Sequence, residues 1–194
     1  MQPEHVVLLD DNGNEIGIAE KLATHHANTP LHKAFSCYVF NTKGQLLVTQ
    51  RAASKKVWPG VWTNSCCGHP AQGETDQEAI ARRIEYELGM RLENEPTCIV
   101  PYYRYKTPPY NGIIEHESCP IYVTLTTQEP NPNPAEVDDY AWMDWDEYQN
   151  QLRSDTGDVY SWWCKDQLRF VQAPIADLLP TICRQQASPK SLAT

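Results

Sequence analysis

The chain has 194 residues, 41% of them hydrophobic and 21% charged, with a formal net charge of −9. That length suits one domain with a substantial core, and the acidic balance excludes nucleic acid as the main partner, because binding to backbone phosphates rests on basic surface. No apolar run approaches the roughly 20 residues of a membrane span, and the first residues lack the basic and apolar segments of a signal peptide, so a cytoplasmic protein without a membrane partner is expected.

Residues 6–9 and 16–19 read as the arms of a hairpin around Asp11-Asn12-Gly13. A polar, histidine-bearing stretch follows over 25–32, then two strands over 34–40 and 45–49. Residues 57–62 read as loop or irregular strand, since Pro59 and Gly60 break any helix. The clearest helix is expected over 76–88: Thr75 or Asp76 caps it, Gly89 stops it, and Ala79, Ile80, Ile84 and Leu88 form one apolar face. Strands are expected over 97–105, 113–125 and 137–143, with Pro108 and Pro109 between the first two, and helices near 145–153 and 161–179. Residues 186–194 read as a frayed tail, leaving one domain over 1–185. Strands around one strong helix, with helices at the end, point to an α/β layered fold.

The seven cysteines are odd in number and lack C-x-x-C spacing, so neither a disulfide framework nor a thiolate zinc site is expected. Cys37, Cys66, Cys98, Cys119, Cys164 and Cys183 read as small core residues. Cys66 and Cys67 are neighbours and would face opposite ways on a strand. By the same alternation Glu115 and Glu117 point to one face. His25, His32 and His69 could join them in a cluster of three imidazoles and two carboxylates, a donor set that suits manganese, magnesium or zinc. His26 and His116 would point elsewhere.

Gly68-His-Pro-Ala-Gln-Gly-Glu74, followed after seven residues by Arg82-Arg-Ile-Glu-Tyr-Glu87-Leu-Gly-Met90, resembles the Nudix signature. The resemblance implies a single Nudix-type α/β/α layered domain with a mixed sheet, extra N-terminal strands and C-terminal helices. Arg83 and Tyr86 stand where that pattern wants acids, so much of the hydrolytic glutamate cluster is missing. One magnesium ion held with the substrate diphosphate by Glu87, with Cys67 beside it, remains compatible with the pattern.

A second segment, Trp62-Thr-Asn-Ser-Cys-Cys67-Gly-His69-Pro70, and a third from Tyr105 through Glu115-His-Glu117-Ser-Cys-Pro120, resemble the type I isopentenyl-diphosphate isomerases, a branch of the Nudix fold. His25, His32, Arg51, Lys55 and Trp163 fall in the same register. The resemblance implies interconversion of isopentenyl and dimethylallyl diphosphate, in isoprenoid biosynthesis, with a proton added at C4 and another removed from C2 through a tertiary carbocation. It makes Cys67 and Glu117 the acid–base pair, with cations and metal beside Cys67 to lower its thiol pKa. Tyr105 would hydrogen-bond Glu117, and Trp163 would face the cation. His25, His32, His69, Glu115 and Glu117 become the metal ligands. Lys21, Arg51, Lys55 and Arg83 become the diphosphate contacts, whereas Lys33, Lys56 and Arg82 read as surface or structural charges. Family members include monomers and homodimers. The competing readings are a Nudix hydrolase of a diphosphate and a non-catalytic diphosphate-binding module.

Overall fold

Asp10 closes the first turn of the chain. Its Oδ1 accepts from the backbone amides of Asn12 (2.9 Å) and Asn14 (2.8 Å), and Gly13 takes the left-handed φ of +87° that the turn requires. The strands on either side, β1 (His5–Leu9) and β2 (Glu15–Glu20), pair antiparallel as expected. A computed structural model describes residues 4–184 of the chain, so the proposed tail at 186–194 lies outside the described residues. After the hairpin come α1 (Lys21–Thr24), β3 (His32–Lys33), β4 (Phe35–Asn41), β5 (Gln45–Arg51), β6 (Trp62–Thr63), β7 (Cys66–Gly68) and α2 (Asp76–Leu88). The second half holds β8 (Thr97–Val100), β9 (Arg104–Lys106), β10 (His116–Ser118), β11 (Ile121–Thr126), β12 (Val137–Asp144), α3 (Trp145–Ser154) and α4 (Trp162–Arg184).

Among the described residues these strands form two mixed sheets, ordered β2-β1-β3-β10-β9 and β12-β5-β4-β11-β8, with β6 added to β5 and β7 to β4. Two expected strands are therefore corrected. Residues 97–105 divide into β8 in the larger sheet and β9 in the smaller, and residues 113–125 divide into β10 in the smaller and β11 in the larger. Pro101 and Pro120 lie at the divisions. Neither has an N–H to give to a ladder, which is where a strand can leave one sheet for another. The second crossing is held from outside: Ala34 donates its amide to Ser118 O (2.9 Å) and Ser36 donates to Pro120 O (3.1 Å). Two parallel pairs, β3 with β10 and β4 with β11, thus run on from one sheet into the other.

The larger sheet is covered on both faces. Phe35, Cys37 and Val39 of β4 pack with Ala79, Ile80, Ile84 and Leu88 of α2, while Tyr38 and Phe40 pack with Trp145, Tyr148 and Leu168 from the C-terminal helices. A strand buried on both sides reads as a continuous apolar run, and this arrangement is the expected α/β/α layering. Cys66 joins the α2 side and Cys67 the opposite one. Cys37, Cys119 and Cys164 are buried. Cys98 is not: it is exposed on β8, an edge strand with one side unpaired, and this corrects its assignment to the core. The side chain of Cys183 lies outside the described residues. Among the described residues no helix is long and apolar enough to cross a membrane.

Helix α2 carries a full capping box, Thr75 with Glu78, and ends at Gly89 with φ +64°. A Cβ added at Gly89 would sit 2.7 Å from the backbone oxygen of Asn131. Gly89→Ala is therefore expected to destabilise the fold by about 2 kcal/mol or more. Urea unfolding checks this, and a loss below about 0.5 kcal/mol would contradict it.

Candidate active site

Strand register builds the first part of the site. On β10, Glu117 lies opposite His32 of β3 on one side and opposite Tyr105 of β9 on the other. His25 sits at the C-terminal cap of α1 and His69 just after β7. The Nε2 atoms of His32 and His69 lie 3.2 Å apart, and Glu117 Oε1 is 3.1 Å from His69 Nε2 and 3.6 Å from His32 Nε2. His25, His32, His69 and Glu117 can each bring a ligand atom within 4.8 Å of all the others. Glu115 stands one step outward, with Oε2 3.1 Å from His25 Nε2. All five residues expected to hold a metal are thus in one place. His26 and His116 are turned away, to the backbone amide of Asn28 and the carbonyl of Thr29.

The protonation states follow from the partners. His25 Nδ1 lies 2.6 Å from Lys21 O and His32 Nδ1 lies 2.9 Å from Pro30 O. A carbonyl can only accept, so both Nδ1 atoms carry hydrogen and both rings turn Nε2 toward the cluster. Burial works against a charge on His25, but the Glu115 carboxylate beside it prevails and raises its pKa. Burial pushes the pKa of His69 down to about 3, only partly offset by Glu117. Burial also works against a charge on Glu117, but hydrogen bonds from His32 and His69 prevail and hold its carboxyl well below the usual range. Three imidazole nitrogens and a carboxylate oxygen thus converge on one point, the mixed nitrogen–oxygen donor set that divalent ions take. A divalent ion requires neutral histidine and ionised glutamate, the states in which burial holds His69 and its partners hold Glu117. The donor set fits a metal.

The Tyr105 hydroxyl donates to Glu117 Oε2 at 2.7 Å, as expected. Cys67 comes from the other sheet, on β7. Its thiol donates to Asn64 Oδ1 (3.1 Å) and lies 3.3 Å from Ser36 Oγ. The expectation of a lowered thiol pKa is corrected: burial first, and then the neighbouring Cys164 and Glu117, push it up to about 12. Trp163 is buried, donates Nε1–H to Thr63 Oγ1 (3.0 Å) and has the Arg51 guanidinium 5.7 Å from its ring centroid. Its neighbour Trp162 also reaches the site, stacked on Tyr105 at 5.8 Å.

Lys21, Arg51, Lys55 and Arg83 line one cleft of about 730 Å³. A neighbouring cavity of about 310 Å³ shares Lys21, Arg83 and Glu4 with it and reaches His69. Arg51 is fixed by the carbonyls of Trp58 (3.0 Å) and Val57 (2.8 Å), and Trp58 adopts a left-handed φ of +51° to present its own. Carboxylates already meet the other cations: Glu4 pairs with Lys21 (2.7 Å) and Arg83 (2.8 Å), and Glu136 pairs with Lys55 and Arg83. Glu87, expected beside magnesium, gives Oε1 to Arg83 at 2.6 Å. Arg82 is structural, as expected, held by both oxygens of Glu74. Lys33 pairs with Glu15, and Lys56 is exposed.

Sequence reasoning passed over Ser36, Asn64, Glu4 and Glu136. Asn64 lies inside the quoted Trp62–Pro70 segment, where its spacing of three from Cys67 was an available signal. The others come from distant parts of the chain and offered none.

The family model of the NUDIX domain matches residues 30–163. The isopentenyl-diphosphate Delta-isomerase of Saccharopolyspora erythraea is 50% identical over 165 residues, spanning 85% of this chain and 84% of that protein. That of Citrobacter koseri is 54% identical over 142 residues, 73% of this chain and 78% of its own. The chain belongs to the isopentenyl-diphosphate Delta-isomerase branch of the Nudix family. Solved structures agree on the fold. DR0079 from Deinococcus radiodurans superimposes with a TM-score of 0.65 at 18% identity, over 86% of this chain and 98% of its own. The MutT Nudix hydrolase of Burkholderia pseudomallei gives 0.54 at 21% identity, over 73% and 98%. In this isomerase-family chain Arg83 stands where the Nudix pattern wants an acid, and it draws Glu87, Glu4 and Glu136 around one buried guanidinium.

Chelator-treated protein is expected to take up a divalent ion in calorimetry. His32→Ala and His69→Ala should each weaken binding at least about tenfold, with His26→Ala and His116→Ala unchanged. Full affinity in His32→Ala would reject the cluster as the binding site.

Proposed function

We propose that the chain interconverts isopentenyl and dimethylallyl diphosphate in isoprenoid biosynthesis, adding a proton at C4 and removing one from C2, with positive charge at C3 between the steps. The observation that carries this reading is the position of Glu117. It stands in the histidine set and accepts from Tyr105, near a cavity that reaches His69 and shares Lys21 and Arg83 with the cleft of Arg51 and Lys55. The reading takes residues 1–185 as one domain and a small prenyl diphosphate as its partner.

An alkene is a poor base, so its protonation needs an acid held against the carbon, and the cation that forms must be kept from water. Cys67 and Glu117 come from different sheets and would address opposite faces of the carbon skeleton, one giving a proton as the other takes one. Tyr105 orients Glu117 by its hydrogen bond. Trp163 would face the developing cation, worth about 1–2 kcal/mol in a water-excluded site. Lys21, Arg51, Lys55 and Arg83 would hold the diphosphate and so place the carbon skeleton, with the present Glu4 and Glu136 ion pairs giving way to it.

His25, His32, His69, Glu115 and Glu117 would hold one manganese, magnesium or zinc ion, which when bound supplies positive charge that fixes and acidifies the Glu117 carboxyl. Glu87 would hold a magnesium ion that arrives with the diphosphate, through the oxygen Arg83 leaves free; the Cys67 thiol, on the face of β7 away from α2, would not ligate it. With much of the acidic Nudix cluster replaced, the site retains the diphosphate without hydrolysing it.

Incubation with magnesium and isopentenyl diphosphate is expected to give dimethylallyl diphosphate and no free phosphate. Phosphate release would favour a hydrolase, and neither product a binding module. Cys67→Ala and Glu117→Gln are each expected to lower turnover about a thousandfold or more with the fold intact by circular dichroism. Near-normal turnover in Cys67→Ala would reject the acid–base pair.

A further inference from the structure

A chain of buried polar side chains runs behind the Cys67 sulfur. Tyr38 donates its hydroxyl hydrogen to Gln167 Oε1 (2.9 Å), and Gln167 Nε2 donates to Ser36 Oγ (2.8 Å). Ser36 Oγ lies 3.3 Å from Cys67 Sγ, directly across the β4–β7 ladder. On the other side of the sulfur, Asn64 Oδ1 accepts the thiol hydrogen at 3.1 Å. Tyr38, Asn64 and Gln167 are 0% exposed and Ser36 is 1% exposed.

The direction of these bonds is fixed at the Asn64 end. Asn64 spends both amide hydrogens on the backbone carbonyls of Cys37 (3.0 Å) and Cys66 (3.3 Å), so Oδ1 cannot exchange places with nitrogen and stays an acceptor for Cys67. Gln167 accepts from Tyr38 through Oε1 and donates from Nε2 to Ser36. Having accepted from Gln167, the serine hydroxyl has its own hydrogen left for a sulfur, either Cys67 or Cys119, which lies 3.6 Å away. The Cys67 sulfur is thus held between Asn64 at 3.1 Å, which takes its hydrogen, and the serine oxygen at 3.3 Å. The rotamer of the thiol is set by groups that line neither cavity of the site.

Helix α4 supplies this support at helical spacing. Gln167 follows Trp163 by one turn, and Cys164 between them accepts the backbone N–H of Asn64 at 3.1 Å. One face of α4 therefore holds the indole at Thr63, the asparagine beside the thiol and the serine behind it.

We propose that Ser36 and Gln167 are positioning residues for the isomerisation, fixing the Cys67 thiol against Asn64 so that the sulfur faces the carbon skeleton. The proposal rests on the isomerase reading and adds residues that touch neither substrate nor metal. A group of this kind acts on the reacting geometry more than on ground-state binding, so its loss should appear in kcat and not in KM.

The test is steady-state kinetics with isopentenyl diphosphate on Ser36→Ala, Gln167→Met and the double variant, with metal content and melting temperature measured beside them. Each single variant is expected to lose about tenfold or more in kcat with KM within twofold and metal content unchanged. The double variant should lose no more than the worse single one, because both act through one sulfur. Gln149→Met is the control for loss of a buried glutamine, since Gln149 bonds Asp146, Arg153 and Gln172 away from the site; its kcat should be that of wild type. The proposal fails if Ser36→Ala and Gln167→Met keep kcat within twofold, if KM moves in place of kcat, if the losses multiply, or if Gln149→Met loses as much. Should Gln167→Met not fold, the kcat and KM of Ser36→Ala decide alone. A wild-type chain without isomerisation would remove both the reading and the positioning role, whereas an active wild type with indifferent variants removes only the latter.

Discussion

The site depends on the register of one short strand. With Glu117 opposite His32 on one side and Tyr105 on the other, a single carboxylate meets the imidazole cluster through Oε1 and a phenol through Oε2. A slip of one residue would turn Glu117 to the other face and put His116 or Ser118 in its place. Three residues of β10 cannot enforce that register by themselves. It is enforced by the crossing that follows, where Ala34 and Ser36 hold the Ser118–Pro120 backbone and β11 continues beside β4 for six residues. The buried core of the larger sheet thus sets the geometry of the smaller one.

The same crossing joins the two sheets that carry the proposed acid–base pair. Glu117 lies on the small sheet, and Cys67 lies on the large one, paired with Ser36 just beyond the crossing. Their environments differ accordingly. Glu117 is surrounded by imidazoles that favour its anion, while burial, Cys164 and the Glu117 charge favour the neutral thiol of Cys67 over the opposing hydrogen bonds of Ser36 and Asn64. Two titratable groups pushed apart in this way form the arrangement that acid–base chemistry at neutral pH needs. The cations stand apart from both, in the cleft walls, where carboxylates from the first residues, α2 and the loop before β12 balance them.

What could be read from the sequence was what local chemistry determines. The helix at Asp76–Leu88 carries its own caps and apolar face, and the opposite orientations of Cys66 and Cys67 follow from strand alternation alone. The five histidine and glutamate positions were legible because the family register supplied the long-range pairing that no local pattern contains. The division of 97–105 and 113–125 between two sheets was not legible, since a β-rich run with one proline looks the same whether it kinks within a sheet or leaves it. Cys98 misled for a related reason: an edge strand and a central strand share the same residues, and only the missing neighbour exposes the thiol. Ser36 and Gln167 are 31 and 100 residues from Cys67 in the chain, and nothing in their immediate surroundings marks them.

The claim on which the rest turns is that a proton enters at C4 from a pair of protein acids and another leaves from C2. Running the reaction in deuterium oxide and locating the label by NMR tests it directly. Dimethylallyl diphosphate carrying deuterium in the methyl group derived from C4 is the expected result, lost together with turnover in Glu117→Gln. Product without label in that methyl, or a hydrated alcohol in place of the allylic diphosphate, would contradict it.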